Sequence, residues 1–478
     1  MNPDRRTVLK MPVAALAAAS AQTPAPDRVP TRPSATIAAS PISIGFETLD
    51  RRMYDPDRAC PHLAELGVKW ARCQTGWSRC EPRRGEYDFA WLDGIVDNLL
   101  RIGIQPWFNL GFGNILYTPE APHVSAVGYA PVFTEEARQA WLRYVSKLAE
   151  HFASRVKHWE IWNEPNISAF WRPEQPNAKD YTELVRMTVP AIRKRIPEAV
   201  IIGGSFAGIP LGFLEECCEA GLLGLVDKIS YHPYRPQPEM GYAAEVKAMR
   251  GIIQRYNPKI GLWQGENGCP SSSNPDSTGA LSTVAWNETT QAKWLLRRLL
   301  TDLSLGVELT SYFLAVDIVN YIRHGGPTGL TNYKGVIRGR DYTRKPSYFA
   351  LQNLCALFDA KTTLADLLLR FGGGRSPLER MALSSACFVR EGRPVYAYWS
   401  PSVLQEEFTP GTIQVSVWSG RAARLDHPVF VDLLSGEIRP ARARESAAGS
   451  GHADSGWQFD EAPLRDYPML LTDRALVS

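Results

Sequence analysis

Eight short apolar runs punctuate the middle of this chain, and longer stretches with helical periodicity separate them. The runs are Ile42–Leu49, Val68–Gln74, Ile104–Leu110, Val156–Glu164, Val200–Phe206, Lys228–Tyr234, Ile260–Glu266 and Leu309–Asp317. Helical patterns cover Phe89–Arg101, Glu135–Ala153, Ala178–Ile196, Ala243–Tyr256 and Thr289–Leu305. Strands that alternate with helices require a parallel sheet, because each crossover must bring the chain back to the same end. Eight such units are what a closed (β/α)₈ barrel needs, so the spacing predicts one over residues 41–358. An open doubly wound sheet is the other arrangement of such units. It would carry a glycine-rich phosphate loop after an early strand, and there is none.

Beyond residue 358 the texture changes. Val395–Ser400, Thr412–Trp418, Pro428–Leu433 and Met469–Thr472 read as short strands between Gly, Pro and charged turns. Residues 359–478 are therefore expected to form a small antiparallel β-sandwich, with Ala441–Ser455 as a mobile loop. At the other end, Arg5-Arg6-Thr7-Val8-Leu9-Lys10 precedes a short Ala-rich stretch ending in Ala19-Ser20-Ala21, a small-x-small cleavage pattern. Residues 1–21 thus resemble a twin-arginine export signal, implying a periplasmic or secreted protein. Residues 22–40, rich in Pro, Ala, Thr and Ser, read as a linker.

Charge and cysteine spacing exclude several functions. The formal net charge is +3, much of it in the N-terminal segment, and no basic run is long enough to hold a polyphosphate. Nucleic acid is not an expected partner, and no stretch is apolar for long enough to span a membrane. The eight cysteines form no C-x-x-C pair, there is no H-E-x-x-H cluster, and no cofactor motif appears, so neither metal nor cofactor is expected. Buried free thiols are the ordinary reading, and an oxidising destination would permit a bridge such as Cys60–Cys80.

In barrels of this kind the active site lies at the C-terminal ends of the strands. The fourth run closes on His158-Trp159-Glu160-Ile161-Trp162-Asn163-Glu164-Pro165-Asn166, and the seventh on Leu262-Trp263-Gln264-Gly265-Glu266-Asn267. Glu164 and Glu266 would face each other across the mouth. Two opposed carboxyls about 5 Å apart suit retaining glycoside cleavage, one protonating the leaving oxygen while the other attacks the anomeric carbon. Asn163 is placed to meet a sugar hydroxyl, and Pro165 fixes the backbone after Glu164. Glu160 is expected to point away from the site. Trp77, Trp107 and Trp171 are either sugar platforms or core, with core the commoner fate.

Trp162-Asn163-Glu164-Pro165 resembles the W-N-E-P signature of clan A glycoside hydrolases. With Asn166 and a C-terminal β-sandwich, the chain is most similar to family 39, the β-xylosidase and α-L-iduronidase group. The resemblance implies that Glu164 is the acid/base and Glu266 the nucleophile. It further implies that Arg72 steadies the nucleophile, and that His232 and Tyr234 form a His/Tyr pair beside it. Asn109 and Trp286 are sugar contacts by position. The long segments Gly111–Ala130 and Cys269–Asn287 depart from the pattern and should shape a substrate site of their own. A non-catalytic polysaccharide-binding barrel would need neither glutamate. A transglycosylase would use both.

Overall fold

In a computed structural model the protein is described over residues 27–323, 325–372, 382–418, 425–446 and 456–478. Residues 1–21, where an export signal is expected, lie outside the described residues. Eight parallel strands form a closed barrel: β1 (Ile42–Gly45), β2 (Trp70–Gln74), β3 (Gln105–Leu110), β4 (His158–Ile161), β5 (Val200–Ala207), β6 (Lys228–His232), β7 (Gly261–Asn267) and β8 (Leu309–Tyr312). Each predicted run falls on one of them, with β5 and β7 extending one residue beyond their runs, and β1 closes the ring by pairing with both β2 and β8.

The helices wrap the barrel because their apolar residues recur on one face. In Glu135–Phe152, Ala137, Ala140, Trp141, Tyr144, Val145 and Leu148 are buried, and the Thr134 side chain caps the first turn by accepting from the Ala137 amide. Helix Glu288–Ser304 begins on a reciprocal cap between Asn287 and Thr290 and is buried nearly all round. Its outer face is covered by the C-terminal domain, where Lys293 meets Asp466 at 2.9 Å and Arg297 donates to the Ser402 carbonyl at 2.7 Å.

Inside the barrel, the two-residue period of each strand decides what faces the lumen. Trp107, Ile202, Trp263 and Leu309 fill it as a separate apolar cluster with Trp70 against it. Directly above, the Arg72 guanidinium lies 5.5 Å from the Trp107 ring centre and opens a polar layer. Trp107 is therefore core, as are the fully buried Trp77 and Trp171. Glu160 sits one strand period above His158, so it points into the lumen, contrary to expectation. There it accepts from Arg72 and Asn109.

Among the described residues, the C-terminal part is two antiparallel sheets, of six and four strands. The four runs expected there are all strands. Ser384–Arg390 and Gly456–Leu464 are further strands, with charged and small residues masking their alternation. Arg444–Ser446, expected in a mobile loop, instead pairs with Gly456–Gln458. Residues 447–455 of that loop lie outside the described residues.

Residues 27–40, expected within a linker, are packed on the fold. Ser34 donates to the Leu63 carbonyl at 2.9 Å, Val29 takes the Gly436 carbonyl at 2.9 Å, and Ile37 is buried. Two apolar side chains and one hydroxyl suffice to dock a segment whose composition suggests a spacer. All eight cysteines are free, so Cys60 and Cys80 form no bridge. Among the described residues no helix is long and apolar enough to cross a membrane.

Candidate active site

At the C-terminal mouth of the barrel, a cavity of about 230 Å³ contains Asn163, Glu164, Tyr234 and Glu266 on its wall. Local backbone geometry puts the two carboxylates there. After β4, Trp162 and Glu164 both adopt left-handed conformations, with φ of 71° and 47°. Such conformations cost a non-glycine residue of the order of 1 kcal/mol and persist where neighbours hold them. Here the Trp162 amide donates to the Leu110 carbonyl at 3.0 Å and the Glu164 amide to the Ser205 carbonyl at 2.8 Å. The Asn109 side chain donates to the Trp162 carbonyl at 2.5 Å, and the Trp162 indole to the Phe170 carbonyl at 2.7 Å.

Glu266 is turned inward by an irregularity. The β7–β8 pairing shifts register between Gln264 and Asn267, so the residue that plain alternation would send outward reaches the mouth. A matching shift in β5 between Gly204 and Phe206 presents Ser205.

Arg72 ties this layer together. Its guanidinium meets Glu160 at 2.6 Å, Glu266 at 2.7 Å and Glu47 at 3.1 Å, and donates to Asn163 at 2.9 Å and Ser205 at 3.0 Å. Burial works against its charge, but the three carboxyls outweigh burial and raise its pKa. Glu47, which the sequence reading did not single out, is fully enclosed. Its carboxyl rests on Gly45, where a Cβ would stand 2.2 Å from Glu47 Oε2. Burial pushes its pKa up to about 8, with the charge of Arg72 working against that rise.

The environments of the two mouth carboxyls differ. Glu266 accepts from the Tyr234 hydroxyl at 2.8 Å and from Arg72 at 2.7 Å, groups that stabilise its anion. Glu164 has no such cation bonded to it. Burial pushes its pKa up to about 7, partly offset by the charge of Arg72. Its Oε1 lies 2.9 Å from His232 Nδ1, and His232 Nε2 lies 3.2 Å from the Ser205 hydroxyl. Burial lowers the His232 pKa to about 4, so the ring is neutral. A neutral imidazole can serve either protonation state of Glu164 by exchanging which nitrogen carries the hydrogen. One carboxylate oxygen from each of Glu164 and Glu266 and a nitrogen of His232 all lie within 4.8 Å of one another. Each of these residues is already bonded to protein groups, Glu266 to a cation.

His232 thus serves Glu164 more closely than Glu266, which is 3.8 Å away, whereas Tyr234 is beside Glu266 as the resemblance implied. Two expected sugar contacts are not on the cavity wall. Asn109 is wholly buried one layer down, bonded to Glu160 and the Trp162 carbonyl. Trp286 is packed into its own loop, its indole donating to the Leu281 carbonyl at 2.9 Å. Asn109 lies within β3, and Trp286 stands at the far end of the loop after β7, just before the helix Glu288–Ser304.

The wall has other contributors. Phe112 and Val127 come from the 111–130 segment, and Gly279 and Ala280 from the 269–287 segment, the two loops expected to shape the site. Tyr321, Arg323 and Lys334 come from the irregular stretch after β8, which offered no periodicity to read.

Replacing Arg72 with methionine should leave Glu160 and Glu266 buried without their cation and destabilise the fold by about 3–5 kcal/mol at pH 7. Urea unfolding measures this. An unchanged midpoint at pH 7 would refute this account of the layer.

The profile of "Glycosyl hydrolases family 39" matches residues 69–255, an interval that includes Arg72, Asn163, Glu164, His232 and Tyr234 but ends before Glu266. A β-xylosidase of Geobacillus stearothermophilus is 30% identical over 167 residues, 31% of this chain and 31% of that protein. A β-xylosidase of Caldicellulosiruptor saccharolyticus is 25% identical over 335 residues, 61% of this chain and 62% of that protein. The matches thus span less than two thirds of either relative's length. Among solved structures, a family 39 glycoside hydrolase from Bacteroides cellulosilyticus WH2 superposes with a TM-score of 0.63 at 20% identity, over 91% of this chain and 80% of that one. A β-xylosidase from Caulobacter crescentus CB15 gives 0.59 at 18% identity, over 93% and 97%. At such identities the structures speak for the fold, and the sequence matches for the grouping. Among the clan A glycoside hydrolases, the chain is most similar to family 39.

Proposed function

We propose that the protein is a retaining glycoside hydrolase in which Glu164 is the general acid/base and Glu266 the nucleophile. The observation that carries this reading is the pairing of two carboxyls across one cavity, oxygens within 4.8 Å, in opposite electrostatic settings. Retaining enzymes place such groups roughly 5–5.5 Å apart, leaving no room for a water between the sugar and the second carboxylate. Glu266, hydrogen-bonded by Arg72 and Tyr234, attacks the anomeric carbon. Glu164, with its pKa near 7, gives its proton to the departing oxygen. A covalent glycosyl-enzyme results. Glu164, now a carboxylate, takes a proton from the water that hydrolyses it, and His232 accommodates both states. The β-xylosidase relatives support the reaction class.

Stereochemistry tests the order of events. Proton NMR during cleavage of an aryl glycoside should show the first-formed sugar with the anomeric configuration of the substrate, before mutarotation. The inverted anomer as first product would overturn the double displacement.

A further inference from the structure

Ser205 touches the supports of both mouth carboxyls from a wholly buried position. Its backbone is left-handed, with φ of 48°, in the bulge of β5. Gly204 permits that bulge, because at φ +89° it faces the Ser230 carbonyl and a Cβ there would stand 2.5 Å from the oxygen. The Ser205 carbonyl accepts from the Glu164 amide at 2.8 Å. Its hydroxyl meets two side chains, Arg72 Nη2 at 3.0 Å and His232 Nε2 at 3.2 Å.

Only one direction of donation fits these contacts. A guanidinium has donors and no acceptor, so Arg72 gives a hydrogen to Ser205 Oγ. The hydroxyl's own hydrogen then needs an acceptor, and among the described residues its other partner is His232 Nε2. The neutral ring carries one hydrogen, which is therefore on Nδ1 and points at Glu164 Oε1, 2.9 Å away. Glu164 Oε2 has no hydrogen-bond partner among the described residues and is left to carry the catalytic proton. A free imidazole could answer each state of Glu164 by moving its hydrogen between nitrogens, but here neither state requires it. The acid presents Oε1 as its carbonyl oxygen, and the carboxylate presents the same atom.

We propose that Ser205 is a positioning residue that fixes the tautomer of His232, so that Glu164 always accepts at Oε1 and its proton enters and leaves through Oε2. One guanidinium thus donates toward Glu266 directly and toward Glu164 through Ser205 and His232. The inference rests on the hydrolase reading for the use of the proton, and on the buried contacts for the tautomer. The other charged or titratable groups acting on Glu164 or His232 are Arg72, Glu160, Tyr234, Glu266 and Tyr321, and the Ser205 variants keep them all.

Nitrogen NMR of the full chain labelled at its histidine rings reads the tautomer at pH 7, with the His232 signals assigned by their loss in His232→Asn. In the wild type Nδ1 should be protonated and Nε2 bare. Ser205→Ala removes the donor to Nε2, and the ring hydrogen should then be shared between the two nitrogens. With less donation to its carboxylate, Glu164 should hold its proton to higher pH. The basic limb of kcat/KM for an aryl glycoside should therefore move up by about half to one pH unit, the worth of one hydrogen bond. Ser205→Cys, a weaker donor, should fall between the two proteins. A ring hydrogen on Nε2 in the wild type overturns the proposal, whether or not Ser205→Ala folds. So does an unmoved basic limb in folded Ser205→Ala, the result expected of a serine that only supports Arg72. If the wild type cleaves no glycoside, the hydrolase reading falls, and the ring signals still decide what Ser205 does to His232.

Discussion

Glu266→Ala should lower turnover of an aryl glycoside by on the order of 10⁴- to 10⁶-fold, the scale on which removal of a nucleophile disables a catalytic unit. The fold should survive, because Glu266 is one of three carboxyls on Arg72 and the other two remain. What the variant leaves behind is a small hollow lined by the Arg72 guanidinium and the Tyr234 hydroxyl, both aimed where a carboxylate was. Such a hollow suits a small anion. Azide or formate at high concentration should therefore restore part of the activity. Azide would attack from the face Glu266 used and give a glycosyl azide of inverted configuration, which thin-layer chromatography and NMR identify. A drop of less than about tenfold with intact folding would move the nucleophile elsewhere. This is the more informative of the glutamate substitutions, because Glu266 lies beyond the matched interval 69–255 and its assignment rests on geometry.

The barrel was readable because its strands, buried on both faces, appear as nearly unbroken apolar runs between helices. Glu164 was readable from its neighbours, since Trp162, Asn163 and Pro165 each constrain one turn. Glu266 was located by counting strands, but its inward aim depends on the register shift before Asn267, and no residue type announces a bulge. Glu160 shows the converse. Strand period alone puts it in the lumen, and the expectation that it points away overlooked that Arg72 could satisfy a buried carboxylate there. In the C-terminal domain the strands found were those with dense β-branched or aromatic residues. Ser384–Arg390 and Gly456–Leu464 escaped because half-exposed strands of mixed composition look like turns. Lys334 and Arg323 were out of reach for a third reason. An irregular segment has no period, so which of its side chains face inward is decided by packing alone.

Glu164→Gln should separate leaving groups. The amide keeps the size and most of the contacts of the acid but cannot protonate a departing oxygen, so glycosides with poor leaving groups should lose about 10²- to 10⁴-fold in kcat/KM. Dinitrophenyl glycosides, whose leaving group needs no proton, should lose far less in the first step. Because deglycosylation also needs Glu164 as base, the glycosyl-enzyme should accumulate and give a burst of dinitrophenolate. The pH profile adds an independent sign. Glu164 must be protonated to act as acid, so wild-type kcat/KM should fall as the pH rises through about 7, and this limb should vanish in Glu164→Gln. Stability should follow the same group. The unfolded carboxyl loses its proton near 4.5 and the folded one near 7, so between those values the native state holds the extra proton. The associated stabilisation is complete below the lower value and lost as the pH rises through the upper one. Urea unfolding from pH 4 to 8 should therefore show a steeper decline in the wild type than in Glu164→Gln, which keeps only the contribution of groups such as Glu47, also raised, to about 8. An unchanged basic limb in the variant, with the leaving-group dependence unaltered, would assign the acid to another residue. His232 could not take that part, because burial holds its pKa near 4 and leaves it no proton to give at neutral pH beyond the one its neutral ring retains.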